Sequence, residues 1–124
     1  MAGMIALGLA FAGSPVAAQD WNCADVDNLP QQGINACLAQ RYADADARLN
    51  EVYEIALGVL EPRDEASLRA AQLAWTTYRS AACEVEAGAM RGGSGEAMLR
   101  FGCLARLTER RLADLDQIVA WRNQ

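Results

Sequence analysis

The chain has 124 residues, 52% hydrophobic and 22% charged, a one-domain length with a globular balance that excludes disorder. Its net charge of −5 excludes the clustered positive charge that nucleic-acid binding requires and disfavours adsorption to anionic membranes. It contains no histidine, so the usual general base near neutral pH and the commonest metal ligand are both missing.

Residues 1–18, MAGMIALGLAFAGSPVAA, predict a cleaved secretory signal peptide. Met4 to Ala12 form its apolar run, Pro15 breaks it, and Val16 and Ala18 are the small residues expected before a cut. No arginine or lysine precedes the run, which is too short to span a bilayer. Asp20, Trp21 and Asn22 do not make a lipidation signal ahead of Cys23. The expected product is a domain of residues 19–124, periplasmic or secreted, with no stable membrane anchor.

A polar entry segment follows, and Asn28, Leu29 and Pro30 mark a helix boundary, because proline disfavours the helical region for the residue before it. The first helix is predicted from Gln32 to Leu60. Leu38, Tyr42, Ala45, Leu49, Val52, Ala56 and Leu60 recur at steps of three and four, one apolar stripe. Tyr53 widens it, and Asn50, a poor helix former, is expected to make a tertiary hydrogen bond. Pro62 ends this helix, and Asp64 is expected to cap the next.

The second helix is predicted from Glu65 to Ala89, with Leu68, Ala71, Trp75, Tyr78, Ala82, Val85 and Ala89 as its buried stripe. Gln72, Arg79 and Glu86 form a polar row beside that stripe, the first two expected to tie helices together. Trp75 and Tyr78 are expected in the core, and this helix is expected at the centre of the bundle. The stretch Arg91-Gly92-Gly93-Ser94-Gly95 is a turn with access to positive φ. It is neither a phosphate loop nor a dinucleotide fingerprint, since no strand precedes it and no Lys-Ser/Thr pair follows. The third helix is predicted from Glu96 to Ala120, with Phe101, Leu104, Thr108, Leu112, Leu115 and Val119 inward and Trp121 just beyond. Trp21 and Trp121 are expected to act as packing lids near the two ends of the exported domain.

Four cysteines in a short exported chain predict two disulfides; zinc is the competing reading, disfavoured by wide spacings and the absence of histidine. In an up-down-up bundle Cys23, Cys37, Cys83 and Cys103 all fall at one end. Three pairings are open, and the sequential one, Cys23–Cys37 with Cys83–Cys103, closes the two shortest loops and is the expected one.

Gln72-x-x-Trp75-x-x-Tyr78-Arg79-x-x-x-Cys83 resembles the signature of the lysozyme inhibitor LprI-like family of small secreted bacterial domains. Asp46, Leu49, Asn50 and Tyr53 resemble a second family pattern, and the likeness runs from about Cys23 to Leu115. One departure is Ser80, where the family often carries an acid after the arginine. The resemblance implies an all-α, disulfide-bearing domain outside the cytoplasm and a role as a proteinaceous lysozyme inhibitor.

No nucleophile–base set, metal site or phosphate loop stands in the sequence, so the expected function is binding rather than catalysis, with no cofactor. The expected partner is a protein, a cationic lysozyme, which an acidic surface attracts. The alternative is an accessory interaction module of the cell envelope without lysozyme activity. Arg91 and Ser94 on the glycine turn are the candidate partner-contact residues. Oligomeric state is open.

Overall fold

The computed structural model describes residues 20–124, so the expected signal peptide at 1–18 lies outside the described residues. A short 3-10 segment, Cys23–Asn28, leads into three long helices: α1 (Gln31–Gly58), α2 (Pro62–Ala87) and α3 (Glu96–Arg122). A single 3-10 turn, Gly88–Met90, extends the end of α2. The order is up-down-up, and the described residues contain no strand.

Proline sets both of the first two helix starts. Leu29 and Pro30 are extended, with ψ 151° and 160°, and α1 begins at the next residue. Pro62 occupies the first turn of α2, where its missing N–H would have had no partner and its fixed φ already suits a helix. This corrects the expected cap: α2 starts two residues before Asp64, which lies in its first turn and pairs with Arg122 at 2.7 Å. The helices also end differently from the expected bounds, α1 at Gly58, α2 at Ala87 and α3 at Arg122, so Trp121 is helical.

The core joins Leu49, Val52, Ala56 and Leu57 of α1 to Leu68 of α2 and Leu115 of α3. Tyr53, Leu60, Trp75, Leu112, Ile118 and Val119 close around it. The α1 and α3 stripes are therefore as the spacing predicts. At the other end the core consists of Cys37, Cys83, Ala87, Cys103 and Ala105.

The central helix is α3, not α2. It lies along α1 most extensively and carries α2 on another side, while α1 and α2 meet less. Side-chain size accounts for this. Ala45 and Ala56 of α1 and Ala105 of α3 are buried and small, and a methyl group on Gly102 would lie 3.9 Å from Leu38. The α2 face presents Trp75 and Arg79 instead, which hold it at a distance from α1.

The buried row of α2 also differs from the expected one. It runs through Leu68, Gln72, Trp75, Arg79, Cys83 and Ala87, of which Gln72 and Trp75 are half-buried. Tyr78 is 60% exposed and Val85 79% exposed, so neither is core. Ala71 and Ala89 are exposed and Ala82 is half-buried. Inward polarity replaces outward apolarity because the Arg79 guanidinium meets an acid, a hydroxyl and two aromatic rings inside.

Candidate functional site

Arg79 is only 9% exposed. One terminal nitrogen donates to Asp46 Oδ1 at 2.9 Å on α1 and to Thr108 Oγ1 at 3.0 Å on α3. Its guanidinium lies 4.7 Å from the Trp75 ring centre and 5.4 Å from that of Tyr42. A planar, weakly hydrated cation can stack and hydrogen-bond at once, which lysine cannot. Trp75 faces a second guanidinium, Arg111, at 5.8 Å, and Arg111 Nε donates to Gln72 Oε1 at 2.9 Å. The structure thus gathers Gln72, Trp75 and Arg79 into one node that ties all three helices. Asp46, Thr108 and Arg111 complete it, and sequence reasoning did not assign them there. Arg79 finds its acid on α1, so Ser80 beside it costs the pair nothing.

Two other signature residues stand apart. Tyr53 packs against the core. Asn50 is exposed, and among the described residues its amide has no hydrogen-bond partner, which corrects the expected tertiary bond. The Asp46 carboxylate and the Thr108 hydroxyl are both engaged by Arg79, so the contacts of the node hold the helices together.

The disulfide end of the bundle has different properties. Cys23–Cys37 ties the 3-10 segment to α1 with Cα atoms 5.6 Å apart, and Cys83–Cys103 ties α2 to α3 at 5.4 Å. This is the sequential pairing, and it leaves no free cysteine for zinc. Trp21 is half-buried over Gly33, where an added methyl would come within 2.8 Å of its ring, so it is a lid as expected. Trp121, by contrast, is 65% exposed at the opposite end.

The turn between α2 and α3 projects from this end. Gly92 has φ 79°, the left-handed region that glycine enters without strain. The Gly93 N–H bonds the Met90 carbonyl at 2.9 Å, and Gly95 is buried beneath Met90. Asn35 of α1 donates to the Ser94 carbonyl at 3.3 Å, anchoring the turn to the third side. Below it, Arg100 bridges Glu84 at 2.8 Å and Glu96 at 3.3 Å, and Arg106 pairs with Glu86. The Arg100 hydrogen bond holds the Glu84 carboxyl below the usual carboxylate range, with a smaller electrostatic pull from Arg91. Arg91 and Ser94 are both exposed, and the Arg91 guanidinium folds back over Gly88.

Asp25 and Asp27 lie in the 3-10 segment at the same end, and Asp44, midway along α1, lines a groove that runs up to Cys37 with Gln40 and Leu112. Arg41 and Glu109 close that groove with two hydrogen bonds of 2.6 Å, which hold Glu109 below the ordinary carboxylate range. Asp25, Asp27 and Asp44 make no ion pair among the described residues, so their charge reaches solvent. The arrangement is a rigid, disulfide-clamped tip carrying one uncommitted guanidinium, set in a negative field. No described helix is long and apolar enough to cross a membrane.

The sequence model of the family described as lysozyme inhibitor LprI matches residues 23–115. An uncharacterised protein of Rhizobium meliloti (strain 1021) is 36% identical over 102 residues, covering 72% of this chain and 73% of that protein. No solved structure matches the chain significantly.

Proposed function

Because the chain belongs to the lysozyme inhibitor LprI family, we propose that it is an exported, non-enzymatic protein that binds and inhibits a lysozyme through the disulfide end of its bundle. The observation that carries the reading is the family match, which spans both disulfides, the glycine turn and the Arg79 node. The geometry supplies a mechanism. Animal-type lysozymes are cationic, so Asp25 and Asp27, which make no ion pair among the described residues, draw the enzyme towards this end. A lysozyme cleft works with two carboxylates. Arg91, released from Gly88, places a guanidinium between them, and Ser94 supplies a hydroxyl beside it. Cys83–Cys103 and the Arg100 bridge keep the turn from yielding, so little ordering entropy opposes binding.

Turbidity of bacterial cell walls, followed with purified disulfide-intact protein and both animal and bacterial lysozymes, tests the reading. Lysis slows in proportion to added protein and stops near stoichiometry for at least one lysozyme. Undiminished lysis by every enzyme at stoichiometric excess contradicts it.

A further inference from the structure

At the end of the bundle opposite the disulfides, a groove of about 380 Å³ lies between the start of α2 and the last turns of α3. Leu60, Leu68, Ile118 and the exposed ring of Trp121 form its apolar surface. Asp64 and Arg122 also line it, but they neutralise each other across 2.7 Å. Arg111 is different. Its Nε bonds a neutral group, the Gln72 amide oxygen. Asp114, one turn on, is exposed and does not pair with it. A half-buried guanidinium with no acidic partner among the described residues therefore borders an apolar groove, where such a group is most costly.

We infer that this groove binds a small aliphatic monocarboxylate, with the carboxylate on Arg111 and the hydrocarbon body along Leu60, Leu68, Ile118 and Trp121. One uncompensated cation matches one negative charge; a dianion would exceed it in a protein of net charge −5. The walls are chiefly helices, whose backbone groups are already bonded internally. They offer side chains but no ladder for peptide amides, which selects a featureless hydrocarbon chain over a peptide terminus. The site is remote from the glycine turn and stands whether or not a lysozyme binds there.

Octanoate, titrated into the disulfide-intact chain and followed by the nuclear magnetic resonance signal of the Trp121 indole N–H, tests the site. The expected dissociation constant is about 0.1–1 mM, as suits a ligand of this size. Octanol, lacking the charge, binds at least about tenfold more weakly, a difference of the kind a single charge-assisted contact makes. Arg111→Gln weakens octanoate by a similar factor and leaves octanol unchanged. Trp121→Ala, at an exposed position that folding does not need, weakens both. Octanol binding as tightly as octanoate, or no Trp121 shift at about 10 mM octanoate, overturns the inference. The octanoate–octanol comparison and Trp121→Ala decide it even if Arg111→Gln does not fold.

Discussion

Replacing Arg79 by alanine removes the node that ties the helices, and its cost follows from the contacts. The hydrogen bond to Asp46 is charge-assisted but lies at a carboxylate whose side chain is 35% exposed, so its loss belongs at the low end, about 1.5 kcal/mol. Thr108 is 0% exposed, and Arg79 is its one side-chain hydrogen-bond partner across helices, so stranding its hydroxyl adds about 1 kcal/mol. Two cation–π contacts, to Trp75 and Tyr42, contribute about 0.5–1 kcal/mol each. The expected destabilisation is about 3.5–4.5 kcal/mol, a large part of the 5–15 kcal/mol that domains of this size possess. Arg79→Lys keeps the charge but loses the planar stack and recovers no more than about half of this. Urea unfolding followed by circular dichroism, disulfides intact, measures it as a lower midpoint at unchanged slope. In a double-mutant cycle Arg79→Ala and Asp46→Ala couple by about 1–2 kcal/mol. A loss below about 1 kcal/mol for Arg79→Ala, within the range of an ordinary surface substitution, refutes the reasoning.

Three further outcomes are expected. Mild reduction opens Cys23–Cys37 before Cys83–Cys103, because Cys23 is exposed whereas Cys83 and Cys103 are 1% and 0% exposed; peptide mass mapping after timed alkylation reads the order. Gly33→Ala drives a methyl to within 2.8 Å of the Trp21 ring and lifts that lid, costing about 1–2 kcal/mol and shifting tryptophan fluorescence towards that of exposed indole. Glu109 and Glu84 are depressed by hydrogen bonds to Arg41 and Arg100. Their stabilisation is therefore full above the unfolded glutamate value of about 4.3 and is lost as pH falls through the lower folded values. Both pairs are well exposed, so Glu109→Gln changes stability at neutral pH by no more than about 0.5 kcal/mol but flattens the acid limb of unfolding curves.

The α1 stripe was legible from one constraint, and the cysteine pairing from two together, a shared end and a preference for the shortest loops. Apolar steps of three and four admit a single face for α1, and short loops place all four cysteines at one end. The α2 face was not legible from apolarity, because two rows one residue apart compete. The more apolar row runs through Tyr78 and Val85; the buried row runs through Gln72 and Arg79. A usable signal was present. Cys83 must face α3 to reach Cys103, and stepping back by four twice from Cys83 reaches Arg79 and Trp75 rather than Tyr78. The centrality of α3 was hidden for a related reason. Large side chains mark α2 as important, but small ones at Ala45, Ala56 and Ala105 decide which helices lie closest. The Arg111 groove depends on a cation left without an acidic partner after tertiary contacts form, and sequence periodicity does not record it.

The inhibitory surface proposed for this chain is the clamped turn. The most direct measurement is the inhibition constant for a susceptible lysozyme, compared between the native chain and the Arg91→Ala/Ser94→Ala double variant. Both positions are exposed, so the variant folds and keeps its unfolding midpoint. Inhibition is expected to weaken at least about tenfold, as suits the loss of one charge-assisted contact. An unchanged inhibition constant in a folded double variant contradicts it.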